Sequence, residues 1–311
     1  EIHLELENIG RIYQRIYAEL FPRYHDIEVF KIFERVYIEH FTVVDEKIRL
    51  IETTTLSTDS LQSPDDLDAT YVKKNNTSYR GYVVNIVETC NPENQLNLIT
   101  DICVSANNVD DSKNLHERLD GLKEKTPDIN ELHNDGGYGS KENDEKCSEY
   151  EITQIQTAIR GKASAIDLTI EKTDADQYHV SCLCQKVVAT KGRKLYKAVF
   201  DETICATCPL NHQCNFVKVR TDQRRRYYFS DKEYYRKKRA HNILNIPPER
   251  RRLRANVEAT VSEYRRTMPD GKVKVRGRFK TMLFAFATGI GINFGRVFRY
   301  LNGDDCDKIQ F

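Results

Sequence analysis

The chain has 311 residues, of which 39% are hydrophobic and 31% charged, with a formal net charge of +1 and a mean hydropathy of −0.63. It is more charged than an average soluble protein, yet too rich in apolar residues for a disordered one. The most apolar window, from Met282 to Phe294, contains polar residues and glycines and is shorter than the about 20 apolar residues of a membrane helix. These values predict a soluble, folded protein of about two domains without a membrane span.

The first ten residues contain acids where a signal peptide would carry bases and an apolar run, so secretion is not indicated. Nine cysteines without an export signal favour a reducing, cytoplasmic compartment, where clustered thiols are more often metal ligands than disulfides. The chain also begins with Glu1 rather than Met, which suggests a fragment of a longer protein.

The small net charge hides a strong asymmetry along the chain. Residues 45–176 contain 27 acids and 14 bases, whereas residues 218–280 contain 21 bases and 7 acids. A basic segment of this size is typical of a protein that binds a polyanion.

The chain begins with the periodicity of two amphipathic helices in residues 1–44, separated by Pro22. Lys47–Leu56 is predicted to be extended, and Ser57–Asp68 to be a loop. An α/β pattern follows, with these predicted elements: a hairpin of strands Tyr79–Thr89 and Leu96–Val104, a helix Asp111–Lys125, a strand Ile129–Asn134, a helix Lys141–Tyr150 and a strand Glu151–Ile159.

Residues 161–222 interrupt this pattern and hold five of the nine cysteines, so we interpret them as an insertion. A helix is predicted from Pro247 and Pro248 through Tyr264, and a last apolar helix over Thr281–Tyr300.

Two carboxylates are candidates for chemistry. Asp135 is predicted to follow a strand in an α/β sheet, where ligands commonly bind, although from local sequence alone an ordinary Asp-Gly turn is the better explanation. Glu258 lies among arginines on the helix after the two prolines, and there the alternative is an exposed glutamate paired with Arg254. An acid among phosphate-binding arginines opposes DNA binding unless a metal ion covers it.

Five cysteines are candidates for a metal site, namely Cys182, Cys184, Cys205, Cys208 and Cys214, with His212 as a reserve ligand. They include a Cys-x-x-Cys unit, and Zn²⁺ takes four sulfur or nitrogen ligands. The spacing fits no zinc-finger class closely, so structural zinc and free buried cysteines both remain open.

The basic segment alternates cations with tyrosines, a pattern that favours nucleic-acid binding over a merely solvated surface. The predicted DNA contacts are Arg224, Arg225, Arg226, Arg236, Lys237, Lys238, Arg239, Arg251, Arg252, Arg254, Arg276 and Arg278.

Several motifs together resemble those of bacterial insertion-sequence transposases of the DDE class. They are Ser60–Tyr71, Arg80–Tyr82, Glu88–Cys90, Asn134–Ser140, Leu253–Val261 and Val275–Phe279. The resemblance implies a ribonuclease H-like α/β fold, a mixed sheet flanked by helices, in which three carboxylates hold two Mg²⁺ or Mn²⁺ ions for phosphodiester cleavage and strand transfer. It implies that Asp135 is the second catalytic Asp and Glu258 the catalytic Glu, that the cysteines belong to a family insertion, and that a paired homo-oligomer binds the DNA ends.

The resemblance also implies an opening strand carrying the first catalytic Asp, and we find no such strand. We therefore expect the C-terminal part of a transposase, with little or no activity by itself. The expected domains are a helical segment 1–63, the first part of the core 64–160, the Cys-rich insertion 161–222, the basic part of the core with the Glu helix 223–300, and a tail 301–311.

Two other functions are consistent with the sequence. The chain could be a non-catalytic, zinc-stapled remnant that still binds DNA, which the missing first Asp favours. It could also be a metal-dependent nuclease that uses Asp65, Asp66 or Asp68 as its third carboxylate.

Overall fold

The computed structural model describes residues 2–45, 47–52, 55–74, 77–156, 168–173, 177–214, 216–218, 222–251, 253–268 and 271–303. The chain forms two compact units: unit 1 comprises residues 1–109 and 256–311, and unit 2 comprises residues 110–255.

Unit 1 begins with two helices, α1 (Ile2–Tyr24) and α2 (Glu28–His40), as predicted. They pack through aromatic side chains; the rings of Tyr13 and Phe33, for example, stack with centroids 4.7 Å apart. Pro22 lies inside the last turn of α1 rather than between the helices.

The predicted second helix is too long at its C-terminal end. Phe41–Val44 forms a strand, β1, which pairs antiparallel with β2 (Lys47–Leu50). The β-branched run of Thr42, Val43 and Val44 suits a strand, which explains why the helix ends at His40.

The main sheet of unit 1 is antiparallel and has the strand order β3-β4-β5. Its strands are β3 (Thr70–Lys74), β4 (Thr77–Glu88) and β5 (Ile99–Ala106). Tyr82 pairs with Ala106 and Ile86 with Ile102, so the predicted hairpin is confirmed.

Unit 2 begins with a helix and a β-α-β arrangement, which also follow the prediction. Its elements are α3 (Asp111–Lys125), β6 (Glu131–Asn134), α4 (Lys141–Glu149) and β7 (Thr153–Gln156). Asp110 and Ser140 cap the two helices, and each accepts a backbone N–H with its side chain. β6 and β7 pair in parallel. Residues 157–159 of the predicted strand lie outside the described residues.

The Cys-rich segment of unit 2 is a folded β-structure with its own core. One sheet has the order β10-β9-β8, with β8 (Thr169–Lys172), β9 (Tyr178–Ser181) and β10 (Lys186–Val188). The other has the order β11-β12-β14-β13, with β11 (Thr190–Lys191), β12 (Tyr196–Asp201), β13 (Val217–Lys218) and β14 (Arg224–Phe229). Val180, Ala198, Phe200 and Phe229 are almost fully buried. β14 continues this sheet past residue 222, where the predicted insertion ends, because its apolar side chains complete the same core.

The other elements of the described residues are mostly helices. Short α5 (Glu202–Ala206) follows β12, and α6 (Asp231–Asn245) follows β14. The single helix predicted from Pro247 is divided into α7 (Pro248–Arg251) and α8 (Arg254–Arg266). The last helix, α9 (Arg278–Asn302), is confirmed and slightly longer than predicted.

The long helix α9 packs on β5 in unit 1. It buries Ala285, Gly289 and Ile292, and the Asn293 amide makes two hydrogen bonds with the backbone of Ile99. By length and apolar composition α9 is also the one helix of the described residues that could cross a membrane, and only 22% of its most apolar window is buried; one such helix is weak evidence for a membrane protein. The fold is mixed α/β, as predicted.

Candidate active site

Asp135 directly follows β6, at the carboxyl end of the parallel pair β6–β7. Its Oδ1 accepts the Gly137 backbone N–H at 2.6 Å, which fixes the turn. Its Oδ2 lies 3.9 Å from Nη2 of Arg254, and the side chain is 44% exposed. The structure thus places this carboxylate where ligands commonly bind in α/β sheets, held in place and open to solvent.

A second acid on the same strand is also paired with an arginine. Nη2 of Arg250 lies 2.7 Å from Oε2 of Glu131, and Nε2 of His133 lies 3.0 Å from the same oxygen. Arg250 and Arg254 are four residues apart, as are Glu131 and Asp135. The segment from α7 to the start of α8 therefore lies along β6 and balances its negative charge, which the sequence alone did not indicate.

Tyr138 belongs to the same turn as Asp135. Burial raises the pKa of its hydroxyl to about 12, and the nearby carboxylates of Asp111 and Asp135 act in the same direction. The hydroxyl therefore stays protonated at neutral pH and can donate a hydrogen bond.

Arg239 lies beneath this turn and is not available to DNA. Its guanidinium forms a buried ion pair with Asp144 and also lies next to Gly139. A Cβ at Gly139 would come within 2.8 Å of the Gln156 amide, so glycine leaves the room that this packing needs. The predicted DNA contact of Arg239 is corrected, because a buried, paired guanidinium has no free charge for a phosphate.

Arg225 is corrected for the same reason. Its side chain is 1% exposed and its Nη2 donates to Oε1 of Glu202 at 2.9 Å. The Arg225 guanidinium lowers the pKa of Glu202 to about 2. The pair joins β14 to α5 and has a structural role.

The other predicted DNA contacts differ in exposure. Arg224, Lys238, Arg276 and Arg278 are exposed, whereas Arg226, Arg236, Lys237 and Arg254 are half-buried. Arg226 pairs with Asp222 at 3.0 Å. Arg251 ends α7, with its side chain outside the described part, and Arg252 lies outside the described residues.

Glu258 is exposed on α8, one helical turn after Arg254. It belongs to unit 1, whereas Asp135 belongs to unit 2. Within the part of the chain that the structure describes, no three or more His, Cys, Asp or Glu side chains are grouped so that they could hold a metal ion.

The five cysteines of the Cys-rich segment line one small cavity of about 20 Å³, together with Arg225 and Gln185. They are free thiols. A hydrogen bond with Cys208 raises the pKa of the Cys184 thiol, and burial raises the pKa of the Cys205 thiol. The cavity has room for one ion or water molecule, but the thiols as placed do not form a metal-binding group.

Sequence reasoning missed a buried carboxylate in unit 1. Glu88, at the end of β4, accepts hydrogen bonds from Nη1 of Arg296 at 3.0 Å and from the Thr260 hydroxyl at 2.5 Å. These contacts tie β4 to α8 and α9. Glu88 stands in one of the transposase-like motifs, but no local pattern marks a glutamate as buried.

Comparison with known proteins agrees with the resemblance that the motifs indicated. Residues 175–298 match the family model described as a transposase DDE domain. No curated protein and no solved structure matches the chain. The matched segment is similar to the DDE domain of transposases, in agreement with the resemblance seen in the sequence.

Proposed function

We propose that the protein is a DNA transposase of the DDE class that cleaves and joins phosphodiester bonds for an insertion sequence. The family match over residues 175–298 carries this proposal, since it includes Glu258 and the basic helices α6 to α8. The family implies a DNA substrate and a soluble, cytoplasmic protein, and strand transfer requires a homo-oligomer that holds two DNA ends.

We assign Asp135 and Glu258 as carboxylates that bind Mg²⁺ or Mn²⁺, the ions that such enzymes generally use. Carboxylate oxygens are hard ligands that suit these ions, and both side chains reach solvent. When bound, two such ions supply an activated water or 3′-hydroxyl and stabilise the leaving oxygen. The described residues contain no group of three metal-binding side chains, so the third carboxylate has no assigned residue.

The residues around Asp135 support this assignment by orienting the carboxylate. The Gly137 N–H fixes Oδ1, and the guanidinium of Arg254 balances the negative charge near Oδ2. An arginine in this position is also of the right charge to contact a DNA phosphate.

The test is Mn²⁺-dependent nicking of a supercoiled plasmid by the purified chain, with DNA binding measured by gel shift. We expect Asp135→Asn and Glu258→Gln each to reduce nicking at least about a hundredfold, because each removes a metal-binding charge. Glu249→Gln, which changes an exposed acid on α7, is the matched control and should nick normally. Nicking that survives in both site variants would refute the assignment.

A second candidate function is a DNA-binding remnant without catalysis, and the lack of a three-residue metal group in the described residues favours it. DNA binding without nicking, in the same experiment, would support the remnant. The third possibility, a nuclease that uses a loop aspartate, is weakened for Asp66. Its Oδ1 accepts the Tyr82 hydroxyl and its Oδ2 accepts the Gly277 N–H at 3.1 Å, so both oxygens are already used within unit 1.

We also propose that Cys205, Cys208 and Cys214, with either Cys182 or Cys184 as the fourth ligand, bind a structural Zn²⁺ after a small rearrangement around their shared cavity. Structural zinc contributes directly to folding energy, so a chelator should lower the melting temperature of the protein, and added Zn²⁺ should restore it. Cys208→Ser should lower the melting temperature without chelator and remove the response to it. A melt that is unaffected by chelator would leave the cysteines as free thiols.

A further inference from the structure

A two-stranded ribbon projects from the sheet of unit 1. It consists of β3 and the first part of β4, and we call Thr70–Lys74 and Thr77–Gly81 the ribbon arm. Tyr71 pairs with Arg80 and Lys73 with Ser78 in its antiparallel register. Successive residues of a strand point to opposite faces. Because all four residues from Thr77 to Arg80 are exposed, neither face of this first part of β4 is covered.

The charge of the ribbon arm is opposite to that of the chain around it. Residues 70–81 contain three bases and no acid, although they lie in the acidic stretch 45–176. Lys73 and Arg80 are exposed, and Tyr79 is 50% exposed. Cations with hydroxyl and aromatic side chains between them are the groups that proteins use on phosphates and sugars.

The base of the ribbon arm is fixed to the rest of the sheet by Asn107. Its side chain accepts the Thr70 hydroxyl at 2.8 Å and donates to the Tyr79 carbonyl at 3.0 Å. Its backbone N–H donates to the carbonyl of Gly81 at 3.3 Å. These hydrogen bonds fix the orientation of the arm, so the arm loses less conformational entropy when a partner binds.

A second basic segment is joined to the same base. Asp66 accepts hydrogen bonds from the Tyr82 hydroxyl, next to the arm, and from the Gly277 N–H, at the start of α9. Around Gly277 the chain alternates exposed cations, namely Lys272, Lys274, Arg276, Arg278 and Lys280, and we call this segment the basic strap. Asp66 thus places the basic strap beside the ribbon arm.

We propose that the ribbon arm and the basic strap form a docking surface for duplex DNA in unit 1. The proposal rests on the transposase function and adds residues that the sequence did not indicate, above all Lys73 and Arg80 on one face of the arm. The major groove of B-form DNA admits a two-stranded ribbon, whereas that of A-form RNA is too narrow for side chains to read. The negative charge of the phosphates, opposite to that of the arm and the strap, and the fit of a ribbon to the major groove both favour duplex DNA as the partner.

The test measures the affinity of the full chain for a labelled DNA duplex at several salt concentrations. Each lost phosphate contact lowers the slope of log affinity against log salt by roughly one. We expect the double variant Lys73→Gln, Arg80→Gln to lower the slope by about two and to weaken binding most at low salt. The matched control is Lys47→Gln, Arg49→Gln, which removes two exposed cations from β2 in the same unit and should leave the slope unchanged.

The possible outcomes separate this proposal from the proposed function. If the wild-type chain binds DNA but the arm variant and the control have the same slope, the docking surface is refuted and the transposase function is unaffected. If the wild-type chain binds no DNA, both are refuted. An RNA duplex bound more tightly than DNA through the arm would refute DNA as the partner. The arm variant should have the melting temperature of wild type, which would show that weaker binding does not result from unfolding. Thr77→Glu adds an acid to the arm and should also weaken binding.

Discussion

At the residue scale, the clearest correction concerns arginines that the sequence presents as DNA contacts. Arg225 and Arg239 lie in basic runs, yet each forms an ion pair with a carboxylate distant in the sequence, Glu202 and Asp144 respectively. Local composition does not distinguish them from their exposed neighbours Arg224 and Lys238. Only the fold decides which member of a basic run faces the interior.

The pair of Arg239 and Asp144 predicts a pH-dependent stability. Burial raises the pKa of Asp144 to about 6 even though Arg239 acts to lower it. The folded-state pKa is above the ordinary value of 3.8, so the contribution of Asp144 to stability is complete below pH 4 and is lost as the pH rises through about 6.

Arg239→Met removes the group that lowers this pKa, so the buried carboxylate becomes more costly when ionised. We expect the variant to lose about 3–5 kcal/mol at pH 8 and clearly less at pH 5, where Asp144 is protonated. Urea denaturation at the two pH values measures the difference. Lys232→Met, an exposed position on α6, should change stability little at either pH. Equal losses for Arg239→Met at pH 5 and pH 8 would contradict the expected direction of the pH dependence.

At the scale of elements, the sequence predicted most helices and strands of the described chain. The β4–β5 hairpin, α3, α4 and α9 follow their periodicity and capping residues closely. The errors occur where neighbours in space decide. β1 forms because it pairs with β2. β14 forms because it pairs with β12 and packs into the core of the Cys-rich segment. The apolar periodicity from Leu253 to Tyr264 covers α8 and not α7, so it gave no sign of the division between these two helices.

The two glycines near the middle of α9 have opposite surroundings and give a matched test of its packing. A Cβ at Gly289 would lie 2.3 Å from Cδ1 of Ile102 and 3.3 Å from the Tyr264 hydroxyl, whereas a Cβ at Gly291 meets nothing within 4 Å. Gly291→Ala should stabilise unit 1 by about 0.5–1 kcal/mol, because alanine favours the helix.

Gly289→Ala should instead destabilise the protein by about 1–3 kcal/mol, because Ile102 must leave its place in the core. Thermal and urea denaturation of both variants provide the comparison. If Gly289→Ala stabilised the protein as much as Gly291→Ala, the contact of α9 with β5 would be looser than the structure shows.

At the scale of the whole molecule, the charge asymmetry takes on structural meaning within each unit. In unit 2 the cations of α7 and α8 partly neutralise the acids of β6, and two other arginines are buried. In unit 1 the ribbon arm places cations within an otherwise acidic stretch of sequence. The sequence suggested one basic surface. The structure shows that some of these cations are exposed, whereas others are buried in ion pairs.

The sequence by itself determined the mixed α/β class, the order of most elements and the resemblance to DDE transposases. These properties depend on local periodicity, on capping residues and on motifs, which are all contiguous in the chain. It also singled out Asp135, because the end of a strand followed by a glycine turn is a local pattern.

Only the tertiary structure decided which arginines are buried, that Arg254 lies beside Asp135, that five cysteines share one cavity, and that residues 77–80 of the ribbon arm are exposed on both faces. Ion pairs, cavities and exposed faces depend on residues that are distant in sequence. Their contribution is set by burial and by the distance between charges, and neither quantity can be calculated from the order of residues alone.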